Sequence, residues 1–462
     1  MTVTLILAAA LAVDFGNETG KIRPELHSSG FGPTICSQTV QDLEDVKSMG
    51  FAYARTHDWA LVNPNERVCD WHHIFPLKDL DATKPENYVF GPTDYLLKRT
   101  REEAGLKVFF RLGTSIEHSG KKIHFNSAIP EDFDKVAEVF AATVRHYNRG
   151  WANGYKWGIK YWEIWNEPDG HNNMWCLPEG DGESAEWAQL DPKRRDLFVK
   201  FFVKVLKRLK SEFPELKVGG PALCTMREDW FRPILKACKA EGVAPDFLSW
   251  HYYGNDPDRM FEMVEQADRI CIEEGFPKME MIINEWHFIS KAGWGQVVRL
   301  RGPGTVNDID SACYTLTVLS RLQTSRYDQA YFYGCRHTGN WGYRDYYTGD
   351  PNKNFFALKA FGEIKRDCTE ICASASGDKA VTAFAAAGAD GKNRTLLVTD
   401  YCGRDSRIAV TAKGLDGVKK AKVRVLSYER DLEPRTVDVK DGRFTLVKPD
   451  AYSAAFLVTF DR

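Results

Sequence analysis

The sequence lacks the features of several large classes of protein. It has no apolar run near the roughly 20 residues that a membrane-spanning helix requires, since the apolar stretch at 3–13 is far shorter. Neither sign of charge dominates, because 62 basic residues stand against 64 acidic ones and the formal net charge is −2. Such a balance offers no electrostatic attraction for nucleic acid or for an anionic membrane surface. We therefore expect neither a nucleic-acid partner nor a membrane partner.

Motifs for metal and phosphate chemistry are missing as well. The sequence contains no HExxH motif, no EF-hand loop and no phosphate-binding loop, and its one adjacent histidine pair is His72-His73. A metal enzyme is the rival chemistry, and these motifs give it no support. The sequence predicts no catalytic metal and no cofactor.

The cysteines form no disulfide pattern. There are 11 of them, an odd number, and they are scattered without a CxxC pair. Scattered thiols of this kind are typical of proteins from a reducing compartment, which favours a cytoplasmic location. A second interpretation stays open, because Ala10-Leu11-Ala12 resembles a signal cleavage site. If residues 1–12 are a signal remnant, the protein is secreted or periplasmic. The oligomeric state is not readable from the sequence.

Short apolar strands alternate with longer helical patterns between about residues 24 and 366. Several of the helical patterns end at a glycine, such as Gly50 and Gly150. This alternation is typical of βα units, and eight units favour a closed (β/α)8 TIM barrel of the α/β class. An open doubly wound sheet is the alternative. The predicted strands are Leu26–Phe31, Tyr53–Thr56, Val108–Leu112, Tyr161–Trp165, Lys217–Gly220, Phe247–His251, Met281–Asn284 and Gln329–Tyr333.

The pattern changes after residue 370. Short alternating runs appear, separated by turn residues such as Asp390-Gly391 and Asp441-Gly442. They predict a small antiparallel β-sandwich. We therefore predict a catalytic barrel over residues 14–368 and a β-sandwich over 369–462, which a strand from residues 1–13 could join.

Two of the predicted strands end in a glutamate. In a barrel of this type, reactive groups stand at the carboxyl ends of the strands. Tyr161–Trp165 runs into Asn166-Glu167-Pro168, and Met281–Asn284 runs into Glu285-Trp286. Paired carboxylates are the usual minimum requirement for cleaving a glycosidic bond. Each glutamate alone also fits a structural role, as a helix cap for Glu167 or as a buried carboxylate for Glu285.

The surroundings of Glu167 suggest which of the two is the acid. Its neighbours Trp162 and Trp165 are apolar, and apolar surroundings disfavour the charged form of a carboxylate. A raised pKa is what a general acid requires to hold its proton near neutral pH. The sequence therefore predicts Glu167 as the proton donor.

These strand ends resemble clan A of the glycoside hydrolases. In that clan the acid/base follows the fourth barrel strand and the nucleophile follows the seventh, which are the positions of Glu167 and Glu285. Within the clan the chain is most similar to family 39, the family of β-xylosidases and α-L-iduronidases. The residues that carry this likeness, besides the two strand ends, are Gly30-Phe31-Gly32-Pro33, Arg55-Thr56-His57 and Ser249-Trp250-His251-Tyr252-Tyr253.

The resemblance implies a retaining mechanism. Glu285 would form a covalent glycosyl-enzyme, and Glu167 would act first as acid and then as base. Arg55 is predicted to pair with Glu285, and Tyr252 or Tyr253 to donate a hydrogen bond to it. The further residues that we expect to bind substrate are His57, Asp58, Asn166, His251, Trp286 and Trp341.

The implied substrate is a plant- or host-type oligosaccharide or polysaccharide, cleaved in the manner of a β-xylosidase. Phe288 and its neighbours after Glu285 suit a neutral sugar. An iduronidase-like specificity for a uronic acid stays open, because basic residues lie in later barrel loops: Lys291, Arg299, Arg301 and Arg336. Endo-acting cleavage and a carbohydrate-binding pseudoenzyme stay open too.

Overall fold

The computed structural model describes most of the chain. The described residues are 9–33, 41–59, 67–115, 129–170, 175, 192–291, 293, 305–334, 336–337, 341–345, 348–403 and 406–460. They form one closed β-sheet, one open β-sheet and the helices that surround the closed one. Among these residues, no helix combines the length and the apolar character that a membrane crossing requires.

The first strand among the described residues, β1 (Ala9–Lys21), belongs to the open sheet, and the next eight strands form the barrel that the sequence predicted. They follow one another around the ring in chain order, and β2 pairs with both β3 and β9 to close it. All these pairings are parallel, so the (β/α)8 fold is confirmed. The barrel strands are β2 Ser28–Ser29, β3 Tyr53–Arg55, β4 Lys107–Leu112, β5 Tyr161–Ile164, β6 Lys217–Leu223, β7 Phe247–Gly254, β8 Glu280–Phe288 and β9 Gln329–Phe332.

Helices connect consecutive barrel strands, and a last helix follows β9. They are α1 Gln41–Met49, α2 Trp71–Ile74, α3 Gly91–Lys98, α4 Phe133–Arg149, α5 Pro192–Glu212, α6 Glu228–Ala240, α7 Pro257–Glu274, α8 Ile309–Leu322 and α9 Lys353–Asp367. At α4 the structure shows the capping residues that the sequence suggests for the two ends of a helix. There the Asp132 side chain accepts a hydrogen bond from the Lys135 backbone, and Gly150 adopts a φ of 75°.

Two helices between β3 and β4 were not among the sequence predictions. α2 has four residues, which is too short to show a helical period. α3 begins at Gly91-Pro92, a pair that usually marks a turn. Proline is nevertheless favoured in the first turn of a helix, because its missing N–H would have no partner there.

The open sheet is formed mainly by the C-terminal region. Its strands follow the order β15-β14-β17-β12-β11-β10-β1-β13-β16. The sheet curls so that its edges meet: Arg435 Nη2 of β15 donates to the carbonyl of Val447 in β16. Phe460 contacts both Phe15 and Phe444 in the enclosed core. The predicted C-terminal sandwich is thus confirmed, with strands β10 Glu370–Ser376, β11 Val381–Ala387, β12 Arg394–Asp400, β13 Arg407–Lys413, β14 Lys420–Leu426, β15 Asp431–Asp438, β16 Arg443–Val447 and β17 Ala454–Thr459.

β1 ties the N-terminal region to this sheet. It pairs antiparallel with β10 and parallel with β13. Leu11, Val13 and Phe15 are buried in the sandwich core, because alternate residues of a strand face the same side. The strand continues to Lys21, past residue 13, where the sequence placed the end of this segment. Residues 14–21 therefore lie in the open sheet and not in the barrel.

The inside of the barrel is filled in layers. The lowest layer is aromatic and aliphatic and consists of Tyr53, Phe109, Tyr161, Phe247, Ile282 and Tyr331. Two residues further along the same strands, the inward side chains become polar. All of the following are fully buried: Arg55, Arg111, Glu163, Ser249 and Asn284. This polar layer supports the groups at the mouth of the barrel.

Candidate active site

The two predicted carboxylates meet at the carboxyl end of the barrel. Glu167 follows β5, the fourth barrel strand, and Glu285 lies in β8, the seventh. A carboxylate oxygen of Glu167 lies within 4.8 Å of one of Glu285. The Glu285 side chain is 5% exposed and that of Glu167 is 15% exposed. The two groups therefore face one another, and Glu167 is the more accessible to solvent.

Arg55 is the central support of the pair. Its guanidinium is fully buried, and all three of its nitrogens donate. Nη1 donates to Glu285 Oε1 at 2.8 Å, Nη2 donates to Asn166 Oδ1 at 2.7 Å, and Nε donates to Glu163 Oε2 at 2.7 Å. A planar guanidinium holds its donors in a fixed fork, so one side chain orients three groups from the ends of two strands, β5 and β8. This geometry agrees with the predicted pairing of Arg55 with Glu285.

Glu163 is a buried member of the site that sequence reasoning missed. Its Oε1 accepts hydrogen bonds from Ser249 Oγ and Asn284 Nδ2, both at 2.6 Å, while its Oε2 accepts from Arg55. The available signal was parity along the strand, because Glu163 is two residues beyond inward-facing Tyr161. In the sequence it stands out only as one polar residue of an aromatic strand.

His251 lies between the two carboxylates. Its Nδ1 is 2.8 Å from Glu167 Oε1 and 3.4 Å from Glu285 Oε2. Burial is the main reason that the pKa of His251 falls to about 4, so the ring is neutral at higher pH. A neutral ring with its proton on Nδ1 donates to Glu167. This places His251, a predicted substrate-binding residue, within the carboxylate pair itself.

One of the two candidate tyrosines donates to Glu285. The Tyr253 hydroxyl donates to Glu285 Oε2 at 2.6 Å. Tyr252 points the opposite way, and its hydroxyl donates to the carbonyl of Asp256 at 2.8 Å. Adjacent residues of a strand face opposite sides, so only one of the pair is able to reach the barrel mouth. The structure does not bring Tyr252 to the site.

Opposing influences act on the charge of Glu285. Burial raises the pKa of its carboxyl, and the nearby Glu167 adds to the rise. His251, Arg55 and the Tyr253 hydroxyl act against it, because each interacts favourably with the ionised form. The net result is a pKa above the ordinary value for glutamate.

The chain is locally strained where it presents Glu167. Trp165 and Glu167 have φ values of 75° and 44°, a region that residues other than glycine rarely adopt. Such strain tends to occur at functional sites, where the surrounding structure holds it in place. The two tryptophans that the sequence predicts near Glu167 each have aromatic neighbours. Trp162 stacks on Phe110, and Trp165 packs edge-on against Trp175.

Asp169 and Cys224 also lie near Glu167. The Cys224 backbone donates to Asp169 Oδ1 at 3.0 Å. Burial is the largest cause that raises the pKa of Asp169 to about 7, and Glu167 contributes to the rise. Burial likewise raises the pKa of the Cys224 thiol, with Asp169 and Glu167 adding to it. The acid/base candidate thus stands among ionisable groups rather than in a purely apolar pocket.

Asn166 offers a donor to a ligand. Its Oδ1 accepts from Arg55, whereas its Nδ2 is buried and has no hydrogen-bond partner within the described part of the chain. A buried polar group without a partner is costly unless a ligand or water satisfies it. Its place beside Glu167 therefore suits contact with a sugar hydroxyl.

His57 and Asp58 lie on the other side of Glu285. His57 Nε2 is 3.5 Å from Glu285 Oε1, and burial holds the pKa of His57 well below its usual value. Asp58 Oδ2 accepts hydrogen bonds from the Tyr333 hydroxyl at 3.0 Å and from Arg336 Nη2 at 3.1 Å. Both predicted residues thus stand at the barrel mouth, and Asp58 already pairs with a cation.

The two predicted tryptophans lie in different places, one at the pocket and one away from it. Trp341 is half-buried and contacts Tyr253 and Tyr333, with ring centroids 5.6 and 5.8 Å apart. It is therefore in position to form an aromatic wall of the pocket. Trp286 is fully buried and packs against Phe332, because it follows Glu285 on the opposite face of β8. The structure does not bring Trp286 to the site. Arg299 and Arg301 lie outside the described residues.

The spacing of three site residues would also fit a metal ion. Among the described residues, Glu167, His251 and Glu285 form the one group of ligating side chains with this spacing. The two oxygens of Glu285 already accept hydrogen bonds from Arg55 and Tyr253, respectively. Such donors stabilise an ionised carboxylate without a metal, and this suits a nucleophile.

Comparison with known proteins places the chain in a class and a family. The arrangement of two carboxylates at the fourth and seventh strand ends of a (β/α)8 barrel is that of a glycoside hydrolase. The profile for "Glycosyl hydrolases family 39" matches residues 11–287. The chain belongs to family 39 of the glycosyl hydrolases.

Two curated relatives are β-xylosidases. The chain is 26% identical over 310 residues to a β-xylosidase of Caldicellulosiruptor saccharolyticus, covering 60% of this chain and 55% of the relative. It is 24% identical over 185 residues to a β-xylosidase of Geobacillus stearothermophilus, covering 35% of this chain and 32% of the relative. The chain thus spans about half the length of the first relative and about a third of the second.

Solved structures support the fold over nearly the whole chain. A glucosidase from Croceicoccus marinus aligns with a TM-score of 0.76 and 21% identity, covering 99% of this chain and 100% of the other. A β-xylosidase from Caulobacter crescentus CB15 aligns with a TM-score of 0.69 and 16% identity, covering 98% and 100%. At this identity the likeness establishes the architecture, a barrel with a β-sandwich.

Proposed function

We propose that this protein is a retaining glycoside hydrolase that removes a β-linked neutral sugar, xylose best of all, from an oligosaccharide or polysaccharide. The close approach of Glu167 and Glu285 carries the proposal, because their oxygens come within 4.8 Å. Retaining enzymes hold their carboxyl groups roughly 5–5.5 Å apart, whereas inverting enzymes leave about 6.5–9.5 Å for a water. A closest approach within 4.8 Å falls below the inverting range, which supports retention.

The reaction proceeds in two displacements. Glu285 attacks the anomeric carbon while Glu167 gives its proton to the departing glycosidic oxygen, and the glycosidic C–O bond breaks. A covalent glycosyl-enzyme remains on Glu285. Glu167, now ionised, takes a proton from water as the water attacks the anomeric carbon, and Glu285 departs with the bonding electrons.

The surrounding residues prepare Glu285 and orient the sugar. Arg55 and Tyr253 donate to the two oxygens of Glu285 and favour its ionised form. Asn166 Nδ2 is placed to donate to a sugar hydroxyl beside the reacting carbon. Trp341 supplies a flat apolar face, which suits the C–H face of a sugar ring.

A uronic acid is the second candidate substrate, because Arg336 places a cation at the edge of the site. The Arg336 guanidinium pairs with Asp58 and lies 4.7 Å from the ring centroid of Phe31. A carboxylate of the substrate would have to compete with Asp58 for this charge. A neutral sugar makes no such demand, and β-xylosidases are among the curated relatives.

A panel of 4-nitrophenyl glycosides tests the proposal. We expect the highest kcat/KM on the β-xyloside, compared with the β-glucoside, β-galactoside, α-arabinoside and β-uronide. NMR of the first product should give β-xylose, because two displacements retain the configuration. Release of α-xylose would contradict retention. Preference for the uronide would contradict the neutral-sugar proposal and favour a uronic acid as the substrate. Hydrolysis of none would contradict cleavage of a terminal sugar.

Tyr253→Phe is expected to move the acid limb of the pH profile upwards. Burial raises the pKa of Glu285, and the Tyr253 hydroxyl acts against this rise. Without the hydroxyl, Glu285 takes up its proton at a higher pH, and activity is lost earlier on acidification. Fits of kcat/KM against pH should show a shift of about one pH unit. Tyr252→Phe is the matched control, because its hydroxyl bonds to Asp256 instead, and its profile should coincide with that of the unmodified protein.

A further inference from the structure

The charge balance around Arg55 involves a third carboxylate. One guanidinium lies between Glu163 and Glu285, at 2.6 Å from Glu163 Oε2 and 2.8 Å from Glu285 Oε1. Glu163 is fully buried below the two candidate catalytic groups, and its side chain is occupied by protein donors. It therefore has no direct contact with a sugar in the mouth of the barrel.

We propose that Glu163 is a positioning residue that fixes the Arg55 guanidinium and shares its positive charge, so that Glu285 ionises at a higher pH than an unshared Arg55 would allow. This inference rests on the proposed function, in which Glu285 is the nucleophile. A more basic carboxylate is a better nucleophile, so sharing the charge of Arg55 favours the first displacement.

Geometry supports the fixing role. Arg55 uses Nε and Nη2 on Glu163, and these two contacts determine the plane of the guanidinium. Nη1 is then directed at Glu285 and Nη2 also reaches Asn166. Glu163 itself is fixed by Ser249 and Asn284, so with Arg55 Nε its carboxylate accepts three hydrogen bonds and has little freedom.

Electrostatics supports the sharing role. Glu163 forms a fully buried ion pair with Arg55, and the same guanidinium also pairs with Glu285. In a buried site, a unit charge at a few ångströms changes a neighbour's ionisation by an amount equivalent to about one to two pKa units. Without the charge of Glu163, the whole charge of Arg55 would act on Glu285 and favour its ionised form at lower pH.

Other ionisable groups also face this pair, and they are unchanged in Glu163→Gln, Glu280→Gln and Ser249→Ala. His251 stands beside both carboxylates, and loss of the Glu163 charge lowers its proton affinity too, so it moves in the same direction as Glu285. The groups that face Glu285 from the remaining strands are His57, Glu167, Tyr253, Tyr333 and Arg336. Tyr331 faces both Glu163 and Arg55 from β9.

Glu163→Gln removes the charge and keeps the shape. The amide oxygen of glutamine is able to accept from Arg55 as Oε2 does now. The amide nitrogen would then face Asn284, whose Oδ1 is without a hydrogen-bond partner among the described residues and accepts after the Asn284 amide turns over. Ser249 Oγ is able to accept as well as donate. The variant is therefore expected to fold.

The test is the pH profile of kcat/KM on the best glycoside of the panel. We expect the acid limb of Glu163→Gln to move down by about one pH unit or more, opposite to Tyr253→Phe, while KM changes little. Glu280→Gln is the control. Glu280 begins β8, five residues before Glu285, and contacts Lys217 and the Tyr161 hydroxyl at the far end of the barrel. The acid limb of the Glu280→Gln profile should not move.

The outcomes separate this inference from the proposed function. If the unmodified protein hydrolyses no glycoside, the proposed function is contradicted. If it is active, and Glu163→Gln folds but its acid limb stays in place or rises, only the role of Glu163 is contradicted. If Glu163→Gln does not fold, Ser249→Ala provides the test, because it removes one donor to Glu163 and keeps its charge. Ser249→Ala should leave the acid limb in place, and a shift equal to that of Tyr253→Phe would overturn the inference.

Discussion

Replacing Glu285 by glycine is expected to lower kcat for an aryl β-xyloside by about 10⁴-fold or more, because no covalent intermediate forms without the nucleophile. The glycine variant leaves space beside Arg55 for a small anion. Added azide should therefore attack the anomeric carbon directly and restore turnover. Because this is a single displacement, the product should be the α-glycosyl azide, which NMR distinguishes from the β form.

The loss has to come from chemistry and not from unfolding. In Glu285→Gln, Arg55 keeps its ion pair with Glu163, so no buried charge is left without a partner. The folded state raises the pKa of Glu285 above its unfolded value, so the ionised carboxylate opposes folding above that unfolded pKa. Glu285→Gln should then unfold at an equal or higher temperature at pH 7. A folded variant that keeps a tenth of the activity would contradict the assignment.

Replacing Glu167 by alanine is expected to give a loss that depends on the leaving group. A dinitrophenolate departs without protonation, so formation of the glycosyl-enzyme should be nearly as fast as in the unmodified protein. An alkyl glycoside or a xylo-oligosaccharide requires the proton, and its kcat/KM should fall by about 10²–10⁴-fold. Azide should intercept the glycosyl-enzyme and give the β-glycosyl azide, with configuration retained.

The two azide products distinguish the roles of the carboxylates. An α-azide from the Glu285 variant and a β-azide from the Glu167 variant are expected only if Glu285 is the nucleophile and Glu167 the acid/base. The reverse pattern would exchange their roles. Equal losses on activated and unactivated substrates for Glu167→Ala would contradict proton donation by this residue.

Much of the fold could be predicted because its signals are local. The period of apolar residues located the barrel strands, and Gly150 ended α4 for a reason visible in the sequence. The extent of β1 was underestimated, because its pairing with β10 and β13 is formed with residues 349 or more positions away. Helices α2 and α3 were missed because short helices carry little periodic signal.

Within the candidate site, sequence distance was a poor guide to proximity. Tyr252 and Trp286 stand next to site residues in the chain, yet both face away from the mouth of the barrel. Glu163 looked like one polar residue in an aromatic strand, yet it anchors Arg55. Parity along β5 and β7 separates Glu163 and Tyr252, but it is known only once one inward-facing residue is known. On β8 an irregularity between Ile283 and Glu285 changes the parity, so Asn284 and Glu285 both reach the interior and Trp286 faces away.

By itself, the sequence determined the kinds of groups available and the strands that carry them: a βα alternation, Glu167 at the fourth strand end and Glu285 at the seventh. These follow from local chemistry, since apolar periods, glycines and strand-end carboxylates are properties of short segments. Only the tertiary structure decided that the two carboxylates come within 4.8 Å and that Arg55 is shared between Glu285 and Glu163. Closure of the barrel decides this, because it brings together strand ends that are far apart in the chain. It also removes these groups from water, so that their charges interact strongly.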